Sequence, residues 1–91
     1  MTLNEIVDIT KLCFKNFDIK YSLKPYLHVE KIFEVKNKNF HVKILVQKST
    51  TKIELFNVKT KSFLTVFYTY NKFIDTTNYS SYLINLIKFI G

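Results

Sequence analysis

The sequence predicts an α+β fold. It reads as a two-layer α-β-β-β-β-α domain, a four-stranded antiparallel meander flanked by N- and C-terminal helices. Three observations carry this. Apolar residues recur at helical spacing near both ends of the chain. Residues 26–73 alternate with a period of two in four runs. The stretches between those runs, "NKN", "STT" and "TK", are polar and too short for a crossover, so successive strands must run antiparallel. A chain of 91 residues fits one domain, 1–91, and its 47% hydrophobic content is enough for a core.

The first helix has a clear start. "TLNE" sets Thr2 as N-cap and Glu5 three residues on, the pattern of a capping box. Glu5 and Asp8 suit the positive end of the helix dipole. Leu3, Ile6, Val7, Thr10, Cys13, Phe14 and Phe17 form one stripe, and the helix is expected to end near Asn16–Asp18. Cys13 on that stripe reads as a small core residue. Residues 19–24 alternate apolar and polar, as a short strand or an extended connector before Pro25. The four strands are expected at about 27–36, 40–48, 52–59 and 62–72. In "TTNYSSYLINLIKFIG" one of Thr76, Thr77 or Asn78 can cap a second helix, and Gly91 can end it. That helix is apolar around most of its circumference, so burial on more than one side is expected.

Pairing like residues across strands suggests a register. Phe33 falls opposite Ile44 and Val35 opposite Val42. A loop at Ser49–Thr50 sets Ile44 opposite Leu55 and Val46 opposite Ile53. A loop at Thr60–Lys61 sets Leu55 opposite Val66 and Ile53 opposite Tyr68. The core face then includes Leu64, Val66, Tyr68 and Tyr70. The second face of the last two strands stays apolar, with Phe56, Val58, Phe63 and Phe67. Contiguous apolar surface is generally buried or used. The final helix can fold over this patch, a second copy can pair with it, or a different partner can bind it.

Composition narrows the function classes. Phe, Ile, Lys, Asn and Tyr make up 47 of 91 residues, and Ala, Arg and Trp are absent. This is the signature of AT-rich codons, which fits a low-GC bacterium, its phages or plasmids, or an AT-rich virus. The net charge of +7 arises entirely in the middle: residues 21–50 carry +4 and residues 51–74 carry +3, while both ends are neutral. Such a field favours anionic partners. Every proposed turn carries lysines: Lys36 and Lys38, then Lys48 and Lys52, then Lys59 and Lys61, with Lys43 inside a strand. Two of the three turns share one end of the meander, which gathers Lys36, Lys38, Lys59 and Lys61. They offer a footprint for phosphates or for an acidic protein surface, or they shield strand ends. Phe63 nearby can stack on bases. Without Arg, bidentate base reading is disfavoured, so nucleic-acid binding should be salt-sensitive and weakly sequence-specific.

No catalytic set emerges. His28 and His41 fall at opposite ends of the first hairpin, roughly 20–25 Å apart, and cannot form a dyad or share a metal. Glu30 and Glu34 are about 13 Å apart along one strand, too far for a carboxylate pair. There is no zinc-ligand spacing, and the single Gly at the C-terminus rules out a Gly-rich phosphate loop. No catalytic residue, cofactor, metal or small-molecule substrate is expected. "MTLNEIVDIT" lacks the basic start of a signal peptide, no apolar run is long enough to span a membrane, and one cysteine makes no internal disulfide. The expected setting is cytoplasmic, in the host cell if a phage encodes the chain. Size, codon usage and lack of catalytic groups fit small phage or mobile-element accessory proteins, a class that includes anti-CRISPR and other anti-defence inhibitors. The reading is a non-enzymatic binder of nucleic acid, or of a nucleic-acid-handling host protein that it inhibits. The alternative is a homodimeric interaction module built on the last strand and helix.

Overall fold

A computed structural model of the chain describes residues 1–15, 19–24 and 29–91, with side chains described for 1–15 and 31–91. The elements are α1 (Leu3–Cys13), β1 (Ile19–Lys24), β2 (Val29–Lys36), β3 (Phe40–Gln47), β4 (Thr50–Asn57), β5 (Ser62–Tyr70), a 3-10 turn (Asn71–Phe73) and α2 (Thr76–Ile90). The expected helix–meander–helix architecture is present. Residues 19–24 extend it, pairing antiparallel with β2, so the sheet has the order β1-β2-β3-β4-β5. α1 stops at Cys13 with Phe14 as its C-cap, short of the expected end at Asn16–Asp18. Phe17 and His28 lie outside the described residues.

The capping box forms as the sequence implies. The Glu5 amide donates to Thr2 Oγ1 at 3.2 Å, and the Thr2 amide donates to Glu5 Oε1 at 3.0 Å. Hydrogen bonding from Thr2 holds the Glu5 carboxyl below its ordinary pKa. The α2 cap is Asp75, one residue ahead of the expected candidates, and it accepts from the Asn78 amide at 2.9 Å.

Both helices lie on one face of the sheet and bury Phe33, Val35, Val42, Ile44, Val46, Ile53 and Leu55 beneath Ile6, Val7, Tyr79, Leu83, Leu86 and Ile90. Two buried polar contacts fix the layers. Thr10 Oγ1 donates to Ile6 O at 2.7 Å and lies 2.8 Å from the Tyr79 hydroxyl. The Thr10 proton is committed to Ile6, so Tyr79 is the donor to Thr10. Burial pushes the Tyr79 pKa up to about 12. Asn71, 4% exposed, accepts from Thr51 Oγ1 at 2.7 Å and donates to Gln47 O at 3.0 Å.

Two registers differ from expectation. Between β3 and β4, Ile44 faces Ile53, Val42 faces Leu55 and Val46 faces Thr51, a shift of two residues. An even shift keeps every side chain on its face. The buried Thr51 hydroxyl is satisfied by Asn71, which makes that register tenable. Between β4 and β5 the shift is two residues in the first part of β5 and one in the second, so Leu55 faces Leu64 where Val66 was expected. Ile53 pairs with Phe67 and Glu54 with Thr65, so Val66 is an extra, bulged residue. The bulge reverses the phase of the second half of the strand. Phe67 and Thr69 face the helices, while Tyr68 and Tyr70 turn to the other face. Leu64, Tyr68 and Tyr70, expected in the core, are 60%, 65% and 57% exposed.

Candidate functional site

The β2–β3 and β4–β5 turns meet at one end of the sheet, where the Val58 amide donates to Asn39 O at 2.9 Å. Each turn opens on an asparagine that does the work a glycine often does. Asn37 Oδ1 accepts from the Asn39 and Phe40 amides at 2.9 and 2.8 Å. Asn57 Oδ1 accepts from the Lys59 and Thr60 amides at 3.0 and 3.2 Å. Such side-chain-closed turns explain how the meander bends with no glycine in it. Lys61 alone among the described non-glycine residues has a positive φ, 56°, a conformation that costs a residue bearing a Cβ about 1 kcal/mol.

Lys36, Lys38, Lys59 and Lys61 are all exposed at this end. Among the described residues none of the four forms an ion pair. The end is also where α2 finishes: Asn37 Nδ2 donates to Ile90 O at 2.7 Å. This brings in two residues that sequence reasoning missed, Lys88 and Phe89. Phe89 is 63% exposed and packs on Phe40 with ring centroids 5.3 Å apart. A helix that returns antiparallel to β5 must end beside the turn where β5 begins, so the signal was present in the element order. The lysine group is thus flanked by exposed Phe63 on the open sheet face and exposed Phe89 on the helix layer.

The other sequence-nominated lysines are elsewhere. Lys43 sits mid-sheet on the open face, with Glu34 and Glu54 as its cross-strand neighbours. Lys52 Nζ lies 3.6 Å from Glu54 Oε2 and 5.9 Å from the Tyr68 ring centre. Lys48 is exposed in the β3–β4 turn at the opposite end. His41 is on the open face, its Nε2 3.4 Å from Glu34 Oε2. The central open face therefore balances its charges, and among these nominated lysines the uncompensated ones are those of the turns.

The apolar patch is also divided. Phe56 and Phe63 are cross-strand neighbours on the open face, and Val58 is exposed in the adjoining turn. Phe67 is on the opposite side, under α2, with ring centroids 5.1 Å from Tyr82 and 5.9 Å from Tyr79. Because α2 joins α1 on the core face, the second face of the sheet carries no helix among the described residues. Among the described residues no three His, Cys, Asp or Glu side chains are grouped to hold a metal ion, and no helix is long and apolar enough to cross a membrane. Cys13 is half-buried and its thiol is pushed up by that burial. No protein-family model matches the chain, and no curated protein or solved structure matches it either.

Proposed function

We propose that this is a small non-enzymatic binding module that docks its lysine-bearing end onto the phosphate backbone of nucleic acid. The observation that carries the reading is the gathering of Lys36, Lys38, Lys59 and Lys61, without ion-pair partners among the described residues, on two turns tied by one hydrogen bond. Turns closed by Asn37 and Asn57 gather the charges at one end, and Phe63 and Phe89 beside them offer faces on which unpaired bases can stack. Such a module acts by occupying its target, in the manner of the small inhibitors that phages and mobile elements direct at nucleic-acid-handling machinery.

The test is a salt titration of binding to labelled duplex and single-stranded oligonucleotides. Four phosphate contacts give a log–log slope of about −3.5 on duplex, so affinity should fall roughly 100-fold between about 50 and 200 mM salt. Changing all four lysines to Glu should abolish binding while the circular dichroism spectrum is kept. Salt-independent binding, or none, overturns the reading. Binding only to an acidic protein moves the target to a protein surface.

A further inference from the structure

We propose that β5 is a self-association edge, pairing antiparallel with β5 of a second copy to make one continuous ten-stranded sheet. The two edges of this sheet are built differently. β1 is only six residues long, and its pairing with β2 is irregular between Ser22 and Lys24. Those are the devices that keep an edge from pairing with another chain. β5 is nine residues long, "SFLTVFYTY", with no charge and no proline. Its Phe63, Leu64, Tyr68 and Tyr70 are each more than half exposed, and Phe73 just beyond it is 69% exposed.

The bulge at Val66 determines which pairing works. In a regular strand a two-fold axis sets residues of equal parity opposite one another. Here the phase reverses at Val66, so faces match across a full-length pair only when the axis passes between residues 65 and 66. That register sets Phe63 beside the partner's Tyr68 on the open face and Leu64 beside the partner's Phe67 on the helix face. It also sets Ser62 beside the partner's Thr69 and Lys61 beside the partner's Tyr70. Aromatic, apolar, hydroxyl and cation–π neighbours result, and no like charges face each other within the strand. Phe63, Tyr68, Tyr70 and Phe73 together leave roughly 500 Å² of ring surface exposed, at about 150–250 Å² per aromatic side chain. Edge pairing covers only part of this surface together with the backbone edge, less than the roughly 800 Å² that each partner contributes to a standard interface, so the association is of the weak, concentration-dependent kind. A second copy fits better than an unrelated strand because the strand is its own complement in this register.

The experiment is mass measurement by light scattering and sedimentation from micromolar to millimolar protein. The wild type should shift from 10.9 kDa to twice that mass. Thr65→Lys is the discriminating change. The new ammonium can meet Glu54, its cross-strand neighbour within the chain, so the fold is kept, but the two-fold axis brings it against its own copy. This variant should stay at chain mass at every concentration, with an unchanged circular dichroism spectrum. Leu64→Lys gives the same readout if Thr65→Lys does not fold. A wild type that stays monomeric throughout, or a dimer that survives a folded edge variant, overturns the proposal.

Discussion

Replacing Phe67 and Phe63 separately by Ala tests the bulge at Val66. The two residues have equal parity, so an unbroken strand would put them on one face with equal standing. The structure separates them. Phe67 is packed between β5 and α2 against two tyrosine rings at 5.1 and 5.9 Å, while Phe63 is 57% exposed on the open face. A fully buried Phe→Ala change costs about 3–5 kcal/mol. Phe67 is only partly buried, but it also loses two ring pairs at about 0.5–1.5 kcal/mol each. The expected loss is therefore about 3 kcal/mol for Phe67→Ala and under ~1 kcal/mol for Phe63→Ala. For a domain of this size about 1 kcal/mol shifts Tm by roughly 5 °C. Thermal and urea melts, run dilute so that self-association does not contribute, should separate the variants by about 10 °C. Equal losses, or a larger loss at Phe63, would falsify the phase reversal and the self-pairing register that depends on it.

Two further outcomes are expected. The Tyr79 pKa is raised by burial to about 12, so the fold favours the neutral phenol. Its contribution is complete below about pH 10, the unfolded value, and is lost as pH rises from about 10 to 12, on the order of 3 kcal/mol in all. Tyr79→Phe should cost about 1 kcal/mol at neutral pH, through the hydrogen bond to Thr10, and should melt with a flatter alkaline limb than the wild type. An identical limb in both proteins would remove Tyr79 from the pH response. Lys61→Gly relieves the positive φ and should raise stability by about 0.5–1 kcal/mol, while lowering the salt slope of duplex binding by about 1. Unchanged binding would take Lys61 out of the phosphate-contacting set.

What the sequence made legible, and what it did not, follows from the range of each signal. The capping box at Thr2 and Glu5, the β2–β3 register and the helix–meander–helix order rest on neighbours along the chain or on one short hairpin. The β3–β4 register escaped because a shift of two leaves every face unchanged, and the residue that fixes it, Asn71, reaches Thr51 from twenty positions away. The β5 bulge escaped because periodicity assumes one phase per strand. "SFLTVFYTY" is apolar at both parities, so nothing in it marks the point of reversal. The lysine end was readable from meander parity alone, but Lys88 and Phe89 join it only once α2 is known to lie on the same face as α1.

The two surfaces respond to salt in opposite directions, and this separates them experimentally. Docking of lysines on phosphate releases counterions and weakens as salt rises. Pairing of β5 with its copy is apolar and hydrogen-bonded, and it must bring together two chains of net charge +7. Screening lowers that repulsion, so self-association strengthens with salt. The four lysines also stand at the end where β5 begins, and antiparallel pairing sends the two ends in opposite directions. A dimer therefore presents its basic ends apart, suited to two separate polyanion segments and not to clamping one. Neutralisation of those ends by bound phosphates lowers the same repulsion that salt screens, so polyanion binding and edge pairing favour each other at low salt. Dimer formation that rises on adding a short oligonucleotide at low ionic strength, and that needs none at high ionic strength, is the signature this coupling requires.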